Sequence, residues 1–295
     1  MASARDIQNR IKSVQDTMKI TNAMYLISST KVKKARRALT EATPHFEQSE
    51  RLIAEILRDL PELEDRFFGT AEPIPGGKKG YLILSGDKGL AGAYNHNITK
   101  FAESVLSAEE EPVVYVVGQM GSTALQKAGY EVNGSFDGIA QHPTVERARI
   151  IAATLCEEFV SGRLCEVDII FTYMRGGVEA IPLQKKLLPL SAEAFRLTED
   201  ELQTPQEVVY LPDAKAVLSS IAPNYLTGYV FGALVEAFCS EENARMLAMK
   251  SATDSAGDML RELSVIYNSV RQAAITQQIV EVAGGAKAQK RKKTS

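Results

Sequence analysis

IQNRIKSVQDTMKITNAMYLISSTKVKKARRALTEATPHFEQSERLIAEILRDL, residues 7–60, decides the fold. Small or apolar side chains recur through it on an unbroken alternation of four and three. They are Ile7, Ile11, Val14, Met18, Thr21, Tyr25, Ser28, Val32, Ala35, Leu39, Ala42, Phe46, Ser49, Ile53, Ile56 and Leu60. That alternation averages about 3.5 residues, the period of a left-handed coiled-coil seam. At about 1.5 Å per residue the segment spans about 80 Å, far beyond the helix of about 12 residues usual in a compact domain. One such stripe cannot be buried against water, so the helix requires a partner.

The partner is expected near the other terminus. From Leu226 to Ala283 no proline interrupts, and Met246, Met249, Thr253, Ala256, Leu260, Leu263, Tyr267, Val270 and Ala274 again step by three and four. Leu226, Val230, Ala233 and Ala237 form a shorter run in another register, so the seam slips between Phe238 and Asn243, locally changing the supercoil. A seamed helix at each terminus most simply makes an antiparallel coiled coil with a folded segment between. The competing arrangement, two helices of an ordinary bundle, calls for wider apolar stripes than these.

Between the helices the period changes. GYLILS (Gly80–Ser85), PVVYVVG (Pro112–Gly118), VDIIFT (Val167–Thr172) and a segment near 180–190 read as strands, with helical spacing over 93–107, 121–128 and 143–161. Strands alternating with helices predict a Rossmann-like α/β domain with a mostly parallel sheet. The expected layout is an N-terminal coiled-coil helix 1–60 and an α/β domain 76–190. A linker 191–212 follows, in which Thr198 caps a turn before Glu199, Asp200 and Glu201, and a C-terminal coiled-coil helix 213–286. Lys287, Lys290, Arg291, Lys292 and Lys293 then form a basic, disordered tail over 287–295.

Composition excludes several classes. With 45% apolar and 24% charged residues the chain is globular, not disordered. No apolar run reaches the length needed to cross a bilayer, and MASARDIQNR has neither a signal-peptide core nor the acid-poor character of a transit peptide. Cys156, Cys165 and Cys239 are scattered and read as reduced thiols, not a zinc site. The glycine-rich turn SGDKGLAG (85–92) follows a strand and precedes a helix, a position where backbone N–H groups can face an anion. Its spacing is G-x-x-G-x-x-G, however, and no phosphate-loop motif occurs in the chain. A tight turn docking a helix on the sheet is the better reading. His45, His96 and His142 are dispersed, and Ser85 and Asp87 have no base nearby in sequence. No catalytic residues, cofactor or metal site are expected.

Three separated motifs in order resemble the gamma subunit of bacterial F-type ATP synthases: IKSVQDTMKITNAM (11–24), SGDKGLAGAYN (85–95) and 242–283, which holds ENARMLAMKSATD and VRQAAITQQIVEV. The resemblance covers nearly the whole chain. It implies a central rotor shaft in a ring of three alpha and three beta subunits, with the epsilon subunit and the membrane c-ring at the α/β domain. It also implies a peripheral position on the cytoplasmic face of the cell membrane, no nucleic-acid partner and no catalytic site of its own. Met24, with Lys31 and Lys33 beside it, is expected to pass acidic loops of the beta subunits. Arg245, Thr276 and Gln277 are expected to face loops of the ring, and Ile279 and Val280 an apolar bearing within it. The chain departs from the family at Ala91, often cysteine there, and lacks a cysteine-bearing insert in 191–212. Thiol regulation is therefore not expected. The alternative is a coiled-coil structural adaptor carrying an α/β domain and unconnected with ATP synthesis.

Overall fold

The computed structural model describes residues 4–60, 64–68, 76–176, 179–191, 195 and 210–293, with 287–293 described by backbone alone. The order of elements is α1 (Ala4–Asp59), β1 (Lys78–Leu84), α2 (Tyr94–Leu106), β2 (Val113–Val117), α3 (Gln119–Lys127), β3 (Val132–Phe136), α4 (Val145–Val160), β4 (Leu164–Arg175), β5 (Glu179–Leu188) and α5 (Ala214–Lys293). Two compact units result: one joins α1 up to Ile27 with α5 from Met246 onward, the other runs from Ser28 to Arg245.

In α1 the seam is visible residue by residue. Every position of the stripe from Ile7 to Ile56 is buried or half-buried, whereas Ile20, Leu26 and Ile27, off the stripe, are more than half exposed. Leu60, past the last turn, is exposed. In the first unit Thr21 meets Thr253 across the seam at 2.7 Å between hydroxyls. In the second, Lys31 meets Glu242 and Phe46 meets Phe231, so α1 and α5 run antiparallel. Pro44 lies within α1, with its side facing solvent.

The sheet has the order β3-β2-β1-β4-β5, parallel except for β5, which pairs antiparallel with β4. Alternation along the strands feeds two cores. Tyr81, Ile83, Val114, Val116 and Ile170 pack with Ile98, Ala102 and Leu106 of α2 and Leu125 of α3. Leu82, Leu84, Val117, Ile169 and Phe171 face the other way, toward α4, the Leu218–Cys239 stretch of α5, and Ile53 and Ile56 of α1. Both faces of the sheet are thus covered, as a parallel sheet requires.

Three differences from the sequence reading have physical causes. The fifth strand, β3 (VNGSF), was not expected: it is a short edge strand with glycine and two polar residues, and no face of it is fully buried. From Leu226 to Glu242, α5 is buried on nearly every side, not along one stripe, because the sheet and α1 both pack on it. What looked like a seam slip is where helix–helix burial gives way to burial from all round. Finally, α5 continues as helix to Lys293, so the backbone of 287–293 does not leave the helix as a disordered tail; after Gly285 no glycine or proline interrupts it. Of the linker, Thr198 and the acidic residues after it lie outside the described residues.

Candidate functional site

The chain leaves β1 for α2 and β2 on one side and returns through α4 to β4 on the other side of β1. Outside the carboxyl ends of β1 and β4 lies the crevice where open α/β sheets bind ligands. The SGDKGLAG turn stands there. Ser85 closes its base: its hydroxyl lies 2.9 Å from the Val117 carbonyl and 3.1 Å from that of Gly118, and accepts from the Gly121 N–H at 3.0 Å. Gly86 N–H donates to the Asn95 side chain, which in turn donates to the Lys88 carbonyl. Asp87 accepts from the Gln119 and Gly138 N–H groups and from Gln141. Leu90, at φ 64, and Gly92, at φ 55, reverse the chain. Asp87 thus organises loops rather than activating a nucleophile.

The crevice is filled from within. Glu241 of α5 is 4% exposed, and a Cβ on Gly86 would lie 2.8 Å from its carboxyl carbon. The space left among Ser85, Tyr94, Phe238 and Glu241 is about 10 Å³, room for no more than one water. Arg245, one turn on, pairs with Glu241, pairs with Glu242 at 2.9 Å, and donates to the Gly89 carbonyl at 3.3 Å. Lys31 of α1 reaches Glu242 at 3.0 Å. Upstream on α5, Glu236 accepts from the Met174 N–H at 2.9 Å and the Ser240 hydroxyl donates to the Thr172 carbonyl at 3.1 Å.

The two carboxyls are shifted in opposite directions. Burial drives Glu241 up, and Arg245 only partly offsets it. Burial acts the same way on Glu242, but Ser28, Lys31 and Arg245 outweigh it and hold that carboxyl low. Arg245 is raised: burial opposes its charge, and the two glutamates overcome it. Burial likewise raises the Tyr94 phenol, with the Glu241 charge adding to it.

Of the residues singled out in the sequence, Lys31 and Arg245 come together on Glu242. Arg245 is 8% exposed, its guanidinium engaged with Glu241, Glu242 and the Gly89 carbonyl. Met24 is half-buried beside the seam and Lys33 is exposed. Thr276 bonds back to the Gln272 carbonyl and Gln277 to Glu281, both on the exposed part of α5. Ile279 and Val280 are 62% and 64% exposed, and from Arg271 to Ala286 no side chain is buried. Sequence reasoning missed Glu241 and Glu242. Their signal was there, two acids followed at i+3 and i+4 by arginine inside an otherwise apolar helix. Among the described residues there is no cluster of three or more metal-ligating side chains and no helix long and apolar enough to cross a membrane.

Residues 3–289 match the family described as ATP synthase. The chain is 42% identical to the ATP synthase gamma chain of Ruminiclostridium cellulolyticum, over 96% of this chain and 98% of that one. It is 35% identical to the sodium ion specific ATP synthase gamma chain of Acetobacterium woodii, over 97% and 98%. Among solved structures it resembles a chain of the Euglena gracilis mitochondrial ATP synthase (OSCP/F1/c-ring), with a TM-score of 0.64 at 15% identity, covering 99% of this chain and 96% of that one. That likeness concerns the fold.

Proposed function

We propose that this chain, which belongs to the ATP synthase gamma chain family, is the rotor shaft coupling ion flow through a membrane c-ring to the catalytic cycle of an alpha–beta ring. The observation that carries the reading is α5 itself, which pairs with α1 at Thr21–Thr253 in one unit and at Lys31–Glu242 in the other, and has every side chain from Arg271 to Ala286 exposed. Such an uncovered stretch with Ile275, Ile279, Val280 and Val282 outward fits a segment seated in a partner.

The mechanism follows from asymmetry. Two helices of different length and sequence present different faces in different directions. Three equivalent catalytic subunits around them meet three different surfaces, and turning the shaft carries each site through states of different nucleotide affinity. Inverting a two-state population takes about 5.5 kcal/mol of differential contact, within reach of many small contacts along a shaft. Chemistry is assigned to the ring, a reading supported by Glu241, which fills the crevice beyond β1 and β4 where an α/β sheet can hold a nucleotide. The chain contributes no cofactor, and sits on the cytoplasmic face of a bacterial membrane as a peripheral part of the complex. Its partners are alpha, beta, epsilon and the c-ring.

Co-purification tests this. Tagged chain expressed with its neighbouring subunits should bring down alpha and beta at three copies each per chain and hydrolyse ATP, while the chain alone should not. Recovery without alpha and beta, or turnover by the chain unaided, overturns the rotor reading in favour of a coiled-coil adaptor or an enzyme.

A further inference from the structure

Resting on the rotor reading, we infer that Arg245 and Glu241 form a buried latch fastening the glycine-rich turn of the α/β domain to shaft helix α5. Arg245 is then a positioning residue for torque transfer within the chain. The polar groups that α5 sends to the sheet end are Glu236, Ser240, Glu241 and Arg245, spaced four, one and four, hence on one side of the helix. Three meet backbone: Met174 N–H, the Thr172 carbonyl and the Gly89 carbonyl. The fourth, Glu241, fills the space over Gly86.

This arrangement resists sliding in a way an apolar contact does not. Dispersion contacts are non-directional and re-form after a small shift, whereas a donor aimed at one carbonyl loses its bond on displacement. The charges also enforce the join. Glu241 and Glu242 are both buried and converge on Arg245, and Lys31 shares the Glu242 Oε1 with it. Withdrawing Arg245 would strand the buried Glu241 carboxyl and leave Glu242 with Lys31 as its ion-pair partner, the costly way to break such a cluster. Gly86 is required because any side chain there would displace Glu241. The family turn and the ENAR sequence, far apart in the chain, are thereby one mechanical joint.

The test uses the whole ATP synthase in inverted membrane vesicles, comparing wild type with Arg245→Met, Glu241→Gln and Arg245→Lys. Two quantities are read: ions pumped per ATP hydrolysed, and amide exchange of residues 86–92 in the assembled complex. Arg245→Met and Glu241→Gln should lower the pumping ratio by at least about half and speed exchange in the turn about tenfold, the scale of one lost charged hydrogen bond. Arg245→Lys, keeping the charge without the fork, should recover part of the ratio. Lys100→Ala, on the exposed side of α2, should change neither. If Arg245→Met does not assemble, the isosteric Glu241→Gln decides. A normal pumping ratio in assembled variants sinks the latch even if the turn loosens, because the contact would then be purely structural. A wild-type complex that does not pump at all fails the rotor reading itself, and the latch with it.

Discussion

Phe46 of α1 lies directly over Gly228 of α5, so close that a Cβ on Gly228 would overlap the Phe46 ring. The same ring packs 6.3 Å from Phe231, centroid to centroid. Here the helices approach closely because one of them has no side chain. Gly228→Ala should therefore destabilise the fold by about 2 kcal/mol, overpacking outweighing the usual helix gain from alanine. Heat unfolding measures it, and a raised midpoint would show that the ring has room to move. Pairing Gly228→Ala with Phe46→Leu should recover part of the loss.

Thr21 and Thr253 share a hydrogen bond of 2.7 Å inside the seam. Replacing either with valine should cost about 1 kcal/mol, because the remaining hydroxyl loses a partner in a half-buried site. Replacing both should cost less than the sum. Additive losses in this double-mutant cycle would mean the two hydroxyls are satisfied independently.

The pH response of the Glu241–Glu242 pair has a definite sign. Glu242 is held below its usual 4.5, so its stabilisation is complete above that value and lost as pH falls through the native one. Glu241 is raised above 4.5, so its contribution favours the fold in acid and is lost as pH rises through its native value. Glu242→Gln should accordingly flatten the loss of stability in acid. Glu241→Gln should instead remove a decline on the neutral side of 4.5. Unfolding midpoints across the acid-to-neutral range distinguish the two, and parallel profiles for both variants would contradict these shifts.

Gln277 bonds to Glu281 one turn away, on an exposed surface. Gln277→Leu should leave the stability of the lone chain within about 0.5 kcal/mol of wild type. On the rotor reading proposed above, steady-state ATP turnover of the assembled complex should nevertheless fall. Unchanged turnover would leave Gln277 with a local role only.

The terminal helices were legible because a seam writes one residue in every three or four, and the buried positions in α1 follow that rhythm down to Ser28 and Ser49. The sheet was legible for its central strands, whose apolar runs are continuous, and silent for VNGSF at its edge. Arg245 was the harder case. Its sequence neighbourhood suggests a surface helix, and nothing in a period of 3.6 reveals that a distant turn will close over one face. The burial of Glu241 depends on Ser85–Gly92 arriving from elsewhere in the chain, and Glu242 meets Lys31 of α1, relations no local pattern carries. Ile279 and Val280 were read as outward-facing, and they are exposed.

The filling of the sheet's inner face by α5 also bears on synthesis. Leu82, Leu84, Ile169 and Phe171 emerge from the ribosome long before Leu226, Val230, Leu234 and Phe238, which cover them. At roughly 5–20 residues per second, the nascent α/β domain waits several seconds with that face covered only in part, by α4 and by Ile53 and Ile56 of α1. The strands can pair in that interval, but the share of the face that α5 will cover stays in water until the helix arrives. Slow passage through 190–240 would prolong that exposure, so translation speed over this stretch bears on how the protein reaches its native state.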